Sequence, residues 1–434
     1  MINITAGSVS TSAQLVVFVT KANARVSGMH SANKVIGLTG PFGSGCTTAA
    51  EYIASKLGFR HILLSAELRA LWKKQHGRGE PTRRDLQDLG DELRQQQGND
   101  ALVRNALGHI RAKKLVIDCI RNIGEIAYLR DRFGYHFTLF GIVPTFQARW
   151  DRMGAKRYTD DKAGQKAFFT DDARDQDEET EHGQQVRKCI DKADILLDNS
   201  EVVTLGAYKR KVLEYVELAT GGRRRAPTRE EIFMNMAYSA CHSSRCVKRH
   251  VGAVVVDIGN NPVGTGYNDN PVQTKPCDEQ YGGCFKDLMK ADILKQLAEE
   301  SGHLHCPTCG AAIQDANEMK TPCDHCAQRF GMRKTIAELL FPERGMSFCT
   351  AIHAEAWALS SAGERAREGE LFTTTHPCLQ CAEKIIHSGV KTVWFTEPYP
   401  DALSADRLHL GGVELRQFEG VRCFDRMFAS SRPN

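Results

Sequence analysis

Two short motifs, His353-Ala354-Glu355 and Pro377-Cys378-Leu379-Gln380-Cys381, place the strongest constraint on how this chain folds. Each motif precedes or opens a predicted helix, at about residues 351–362 and 379–388. One histidine and two cysteines supply a nitrogen and two sulfurs, which is the donor set of a zinc ion with a fourth position left open. The chain is therefore expected to fold so that these two helix starts meet.

The order and spacing of the two motifs favour a catalytic zinc site over simpler interpretations. Alone, Cys378 and Cys381 fit a structural zinc site or a redox pair, and His353 alone fits a core histidine. A helix start favours ionised thiols, and Pro377 suits the turn into that helix. Glu355 follows the histidine by two residues, so it is a candidate general base beside the metal rather than a ligand.

The two motifs have the spacing that defines the zinc deaminases, H-x-E followed by P-C-x-x-C. From about Arg229 to Phe424 the chain resembles the deoxycytidylate deaminase family. Residues 245–255 resemble that family's first strand, 264–268 its substrate strand, and 397–401 its aromatic substrate loop. The resemblance implies a cytidine-deaminase-like α/β/α fold, with Asn268 and Tyr399 as substrate-binding residues.

The resemblance also implies the reaction, the hydrolysis of the C4–amino bond of cytosine in a free deoxycytidine nucleotide, dCMP and/or dCTP. Glu355 would take a proton from the attacking water and deliver it to ring N3, and would then pass a second proton to the amino group that leaves as ammonia. Three alternatives stay open. They are a deaminase that edits polynucleotides, a nucleotide-sensing module, and a housekeeping enzyme that supplies dUMP.

Fifteen cysteines is a high count, and no secretory signal precedes them, so metal binding is expected in place of disulfides. The pairs Cys306-x-x-Cys309 and Cys323-x-x-Cys326 have the spacing of a structural zinc site with four thiolate ligands. The family resemblance implies one further zinc, and without it the thiols involved would be interpreted as buried cysteines. Its candidate ligands are Cys246, Cys277, Cys284 and Cys349.

The N-terminal half contains a glycine-rich loop between a predicted strand and a predicted helix. Residues 40–48 nearly match a Walker A motif, although Cys46 replaces the lysine that reaches the β- and γ-phosphates. Binding of a nucleoside triphosphate with Mg²⁺ is therefore expected more than efficient phosphoryl transfer, and a glycine turn without a ligand is the alternative. The candidate nucleotide-binding residues are Gly40, Gly43, Ser44, Gly45, Cys46, Thr47 and Thr48.

Other segments of this half resemble nucleotide-kinase-like proteins. Strands are predicted at about 114–118, 135–143 and 193–199, and their alternation with helices predicts a parallel α/β sheet. Residues 118–125 resemble an Asp-x-x-Arg-Asn segment of that group. Arg149 and Arg152 resemble the arginines of its lid helix, with a solvated helix face as the simpler interpretation.

These patterns predict an α/β chain with two domains. The predicted parts are an N-terminal arm at 1–33, a P-loop kinase-like domain with a parallel sheet at 34–220, a linker at 221–228, and a deaminase domain at 229–434. A polar insertion at about 279–344 carries the four-cysteine site. No apolar run is long enough for a membrane span, so a cytoplasmic chain is expected.

The two-domain arrangement resembles bacterial anti-phage deaminases, which deplete deoxycytidine nucleotides. That resemblance implies a regulatory P-loop domain, a homo-oligomer, and possible silencing by a small RNA. The run Arg223 to Arg225 is a candidate RNA contact, although a solvated linker is the simpler interpretation. The net charge of +4 does not by itself predict nucleic-acid binding.

Overall fold

Two large β-sheets with helices packed against them make up most of the described part of the molecule. A computed structural model describes residues 34–77, 79–108, 110–157, 164, 168, 172, 182–200, 204–301, 304–305, 312–313, 348–396 and 402–422. In these ranges no helix has both the length and the apolar character needed to cross a membrane.

The first sheet contains the glycine-rich loop and has the strand order β13-β5-β4-β1-β3-β2. All pairs within it are parallel except β5 with β13, and this confirms the predicted parallel α/β arrangement. Its strands are β1 (Lys34–Thr39), β2 (Arg60–Leu63), β3 (Lys114–Asp118), β4 (Phe137–Ile142), β5 (Ile195–Leu197) and β13 (Gly420–Val421).

Eight helices of the described ranges accompany this sheet. They are α1 (Cys46–Leu57), α2 (Leu64–His76), α3 (Arg83–Gln97), α4 (Ala101–Leu107), α5 (Ile123–Phe133), α6 (Phe146–Arg157), α7 (Val186–Asp191) and α8 (Leu205–Ala219). Helix α1 begins directly after the glycine-rich loop, which places its free backbone N–H groups at the carboxyl end of β1.

The second sheet carries the His and Cys motifs and has the order β12-β11-β10-β6-β7. Strands β10, β11 and β12 run parallel, whereas β6 is antiparallel to both of its neighbours. Its strands are β6 (Gly252–Val256), β7 (Pro262–Tyr267), β10 (Glu370–Thr373), β11 (Thr392–Phe395) and β12 (Glu414–Gln417).

The helices of this second half are α9 (Arg229–Cys241), α10 (Cys277–Tyr281), α11 (Phe285–Ser301), α12 (Ala354–Ala362), α13 (Leu379–Ser388) and α14 (Ala402–Leu410). Two short strands, β8 (Leu304–His305) and β9 (Ala312–Ile313), form a separate hairpin in the region of the predicted insertion. The predicted helix at 379–388 has the observed bounds, and the one predicted at about 351–362 begins at Ala354.

The two halves share a hydrophobic core. Phe233 and Met234 of α9 and Phe418 before β13 belong to the same buried cluster as Ile190 of α7 and Leu196 of β5. The last described strand, β13, also crosses the predicted boundary, because it extends the first sheet beside β5. Residues 221–228 therefore join two halves that pack directly on one another. Their assignment as a linker between domains stays a prediction.

Glu231 is the polar centre of this joint. Its side chain is fully buried and forms a two-pronged pair with Arg225, with both N···O distances at 2.6 Å. Its carboxylate also accepts from the Thr228 amide at 2.8 Å, which completes a capping box, and from the Val421 amide of β13 at 2.9 Å. One carboxylate therefore fixes the linker, the start of α9 and the last strand.

Glu231→Ala is expected to lower the free energy of unfolding by about 2 to 3 kcal/mol, because Arg225 and the Val421 amide lose their buried partner. Urea denaturation measures this change. The neighbouring and more exposed Glu230→Ala is the control, with an expected change within about 0.5 kcal/mol. Equal stabilities of the two variants would contradict the role given to Glu231.

Candidate metal centre and active site

Two glycines place the histidine motif on the second sheet. A Cβ atom at Gly264 of β7 would lie 2.2 Å from the Ala358 carbonyl oxygen of α12, and one at Gly266 would lie 2.3 Å from that of Ala354. Only glycine allows helix α12 to lie this close to the strand. The segment predicted as a substrate strand therefore also sets the position of His353 and Glu355.

The ligands of both motifs lie at helix starts. His353 is the residue before α12, with extended backbone, and Glu355 is in the first turn. Cys378 holds the same place before α13, and Cys381 is in its first turn. The positive end of each helix dipole therefore points at this group, which favours thiolates.

The three predicted ligands meet as the sequence indicates. His353 Nδ1 lies 3.2 Å from Cys381 Sγ and 3.3 Å from Cys378 Sγ. Within the described ranges this is the single group of three or more His, Cys, Asp or Glu ligand atoms that lie within 4.8 Å of one another. Ligands of a tetrahedral zinc ion stand about 3.5 to 3.8 Å apart at the usual bond lengths, so this donor set fits zinc.

Glu355 lies beside the ligands rather than among them. Its side chain is 3% exposed, and a carboxylate oxygen lies 3.5 Å from Cys381 Sγ. Burial raises the pKa of the Glu355 carboxyl above its ordinary value, and the adjacent His353 partly opposes this shift. A buried carboxyl with a raised pKa is suited to carry a proton near neutral pH.

The pKa values of the two thiols and the imidazole depend on the hydrogen bonds between these groups. A hydrogen bond from the Cys381 thiol lowers the pKa of Cys378 to about 4 and raises that of Cys381. Hydrogen bonds to Cys349 and Cys378 raise the pKa of His353 to about 10. A metal ion that binds these three residues must displace their protons.

Cys349 was predicted as a ligand of a separate zinc, and the structure places it against the His353 ring. Its position four residues before His353 was the available signal. With Cys246, Cys277 and Cys284 it lines a cavity of about 20 Å³. In the described ranges no three of these sulfurs come within 4.8 Å of one another, and the further zinc stays a prediction.

Asn268 holds a loop of the candidate site. Its Oδ1 accepts from the Val251 amide at 2.7 Å and the Ser244 hydroxyl at 2.9 Å, and its Nδ2 donates to the Arg249 carbonyl at 2.8 Å. These bonds fix residues 244–251 beside β7. Tyr399 and the predicted zinc ligands Cys306, Cys309, Cys323 and Cys326 lie outside the described residues.

The glycine-rich loop follows β1 as predicted. Gly43 and Gly45 have φ of 79° and 101°, in the region that favours glycine. The loop backbone is held from outside, since Asn199 Nδ2 donates to the Ser44 carbonyl at 2.8 Å and the Tyr208 hydroxyl to the Gly45 carbonyl at 3.1 Å. Of the other loop candidates, Gly40 and Ser44 are buried, Thr48 is half-buried and Thr47 is exposed.

Cys46 does not take the place of a phosphate-binding lysine. Its side chain packs in the core between the first sheet and α8, with Sγ 3.2 Å from the Ser44 hydroxyl. Burial raises its pKa far above the ordinary thiol value, so it is a neutral thiol. Asp118, the first residue of the predicted Asp-x-x-Arg-Asn segment, ends β3 with a buried carboxylate 3.5 Å from His61 Nε2.

A solvated helix face, the simpler interpretation of the predicted lid helix, was wrong for Arg149. Arg149 is fully buried and forms a two-pronged pair with Asp172 at 2.6 and 2.8 Å. Arg152 donates to the Asn199 carbonyl, next to the glycine-rich loop. The linker run was also only partly a solvated segment, because Arg225 pairs with the buried Glu231.

Comparison with known proteins gives the following matches. Residues 227–397 match the family model of the cytidine and deoxycytidylate deaminase zinc-binding region. A deoxycytidylate deaminase of Schizosaccharomyces pombe is 27% identical over 392 residues, which is 88% of this chain and 97% of that protein. A UPF0200 protein of Methanothrix thermoacetophila is 34% identical over 130 residues, which is 30% of this chain and 69% of that protein.

Among solved structures, the apo form of dCMP deaminase from the cyanophage S-TIM5 is 20% identical. The match covers 45% of this chain and 100% of that one, with a TM-score of 0.26.

Cys378→Ser is expected to reduce bound zinc by about one equivalent per chain, because it removes one of three protein ligands. Elemental analysis of purified protein measures the difference from the unmodified chain. Cys241→Ser is the matched control, since that buried thiol donates to the Tyr238 carbonyl away from the site. An unchanged zinc content in a folded Cys378→Ser variant would contradict the assignment.

Proposed function

This chain belongs to the cytidine and deoxycytidylate deaminase family through residues 227–397, and from that membership we propose that it deaminates free deoxycytidine nucleotides. The products are the deoxyuridine nucleotide and ammonia. The observation that carries the proposal is the convergence of His353, Cys378 and Cys381 with the Glu355 carboxylate 3.5 Å from one ligand sulfur.

Zinc is the metal proposed for this site, held by His353 Nδ1 and by the sulfurs of Cys378 and Cys381. When bound, zinc supplies a Lewis acid with one open position, which lowers the pKa of water there toward neutrality. The same residues orient the base, because Cys381 and Glu355 occupy the first turns of two helices that meet at this point.

Glu355 moves the protons of the proposed reaction. Its carboxylate takes a proton from the attacking water as the oxygen bonds to C4 of cytosine, and gives that proton to ring N3. A second proton passes through the same carboxyl to the amino nitrogen, the C4–N bond breaks, and ammonia leaves. Burial of Glu355 keeps bulk water away from these transfers.

A free nucleotide is the proposed substrate class. The S. pombe relative that matches 88% of this chain is named a deoxycytidylate deaminase, which supports a mononucleotide over a polynucleotide. Asn268 and Tyr399 remain the proposed substrate contacts. The bonds that Asn268 makes to residues 244–251 support a role in shaping the sugar-binding side of the site.

The P-loop domain is proposed to regulate the deaminase by binding a nucleoside triphosphate with Mg²⁺. The exposed Thr47 hydroxyl and the free amides at the start of α1 support phosphate binding. The buried, neutral Cys46 cannot reach a phosphate as lysine does, which supports a binding role over phosphoryl transfer. Three further proposals rest on the two-domain resemblance. They are that the protein depletes deoxycytidine nucleotides during phage infection, that it forms a homo-oligomer, and that a small RNA silences it.

Two further zinc ions are proposed as structural. One would be held by Cys306, Cys309, Cys323 and Cys326, whose paired spacing supports it. The other would lie in the small cavity that Cys246, Cys277, Cys284 and Cys349 line, and would require those sulfurs to draw closer together.

Glu355→Gln is expected to lower kcat by at least a hundredfold while zinc stays bound, because the amide cannot carry the proton. The assay measures uracil products from dCMP, dCTP, CTP and a single-stranded cytosine oligonucleotide. Conversion of dCMP or dCTP by the unmodified chain supports the proposal, and conversion of the oligonucleotide alone overturns it. Glu364→Gln, in an exposed turn beyond α12, is the control and keeps full activity.

Thr47→Ala is expected to weaken binding of ATP with Mg²⁺ about tenfold, because the proposed magnesium ligand is lost. Equilibrium binding to the zinc-loaded full chain measures the effect. Ser55→Ala on the exposed side of the same helix is the matched control. Equal affinity in the two variants, or no ATP binding by the unmodified chain, would contradict a nucleotide site in this loop.

A further inference from the structure

A cleft of about 590 Å³ lies between the two halves of the molecule. One wall comes from α5 and α7 beside the first sheet, and the other from the end of α9 and the segment that follows it. Such junctions between domains are common places for small-molecule sites, and this volume falls in their usual range. No residue of the glycine-rich loop lines the cleft, and neither does any of the three candidate metal ligands.

The cleft is strongly basic. Its lining contains six lysine or arginine side chains and two histidines against a single acidic side chain, Asp191. A low-dielectric cleft lined by one sign of charge focuses its field on ions of the opposite sign. The basic residues are Arg130, Lys188, Lys192, His242, Lys248, Arg249, His250 and Arg422.

Several of these cations are held in place by backbone and acidic groups. Arg422 donates to the Ile190 and Asp191 carbonyls, both at 2.8 Å, and its guanidinium lies 4.2 Å from the centre of the Tyr238 ring. Arg130 donates to Asp194 at 3.2 Å. Fixed guanidinium groups lose little freedom when they bind an anion, so the cleft is preorganised for one.

Three other basic side chains of the cleft have no such partner, whereas Lys248 and Arg249 do form ion pairs. The Lys192 ammonium and the rings of His242 and His250 make no ion pair within the described ranges, and all three are exposed. They lie on opposite walls, since Lys192 follows α7 whereas His242 and His250 flank the loop after α9. An anion that satisfies both walls must carry charge at more than one point.

We propose that this cleft binds a small polyphosphate, a chain of two or three phosphate groups either free or carried by a nucleoside. Lysine and arginine on both walls match several phosphate oxygens at once, which a carboxylate or a single phosphate does not. The volume fits a compact ligand, and a nucleic-acid strand would instead track an extended basic groove.

A ligand bound in the cleft would affect the deaminase half through residues 245–250. Cys246 and Val247 line both the cleft and the cysteine cavity, so this segment forms a common wall between them. The Arg249 carbonyl accepts from Asn268 Nδ2, the proposed substrate-side residue. A phosphate that draws Arg249 and His250 toward α7 therefore acts on the loop that Asn268 holds.

Calorimetric titration of the zinc-loaded full chain with inorganic tripolyphosphate and with ATP tests the proposal. The double variant Lys188→Glu with Lys192→Glu changes one wall, and His250→Glu changes the other. Each is expected to weaken tripolyphosphate binding at least tenfold. Lys56→Glu, an equally exposed charge reversal on α1, is the matched control and should change binding less than twofold.

Thr47→Ala separates the cleft from the glycine-rich loop. Tripolyphosphate affinity that survives this change but is lost in the cleft variants supports the proposal. Affinity that is lost in Thr47→Ala and kept in the cleft variants places the ligand in the loop and overturns it. Failure of tripolyphosphate and ATP to bind, or binding of a 20-nucleotide RNA alone, overturns it as well.

The two probes distinguish the source of the phosphates. Cleft-dependent binding of ATP at least tenfold tighter than tripolyphosphate assigns a nucleoside contact, and equal affinities assign recognition to the phosphate chain alone. Both outcomes support a polyphosphate site.

Discussion

The close contact of helix α12 with strand β7 determines the position of the candidate active site. Because Gly264 and Gly266 carry no side chains, the helix backbone lies directly on the strand, and the stacked rings of Tyr267 and Trp357 extend that contact at 4.9 Å. The helix start then presents His353 to the start of α13. A side chain at either glycine would push the helix, and with it His353 and Glu355, away from the strand.

The joint between the two halves connects the last described strand to the glycine-rich loop. Glu419, in the turn before β13, accepts from the Asp198 amide at 2.9 Å and from Lys211 at 2.6 Å. Asn199, the residue after Asp198, donates to the backbone of the glycine-rich loop. The last strand of the deaminase half therefore lies one residue from the contact that holds the loop. The glycine-rich loop and the second half therefore share supporting elements.

Elements with strong local signals could be predicted from the sequence. The apolar run at Lys114–Asp118 and the helix after Cys378 have the predicted bounds, and His353, Cys378 and Cys381 meet as their spacing indicates. Short elements could not be predicted. Strand β2 has four residues and β13 has two, and each is stabilised by pairing with a strand that is remote in sequence.

Partners remote in sequence explain the other differences. A solvated face was the simpler interpretation of Arg149, but Asp172 pairs with it in the interior, and nothing in the local pattern signals that pair. The capping box of Thr228 and Glu231 is a local signal, yet the Val421 amide that Glu231 also binds comes from the far end of the chain. The basic cleft is likewise assembled from segments that are dispersed in the sequence.

Anomalous X-ray diffraction from crystals of the purified chain, recorded at the zinc edge, tests the central claim most directly. The account predicts a peak about 2.0 Å from His353 Nδ1 and about 2.3 Å from the sulfurs of Cys378 and Cys381. It also predicts that Glu355 lies beside this peak without binding it. Density that lacks a zinc peak between these three residues, or that shows a disulfide between Cys378 and Cys381, would contradict it.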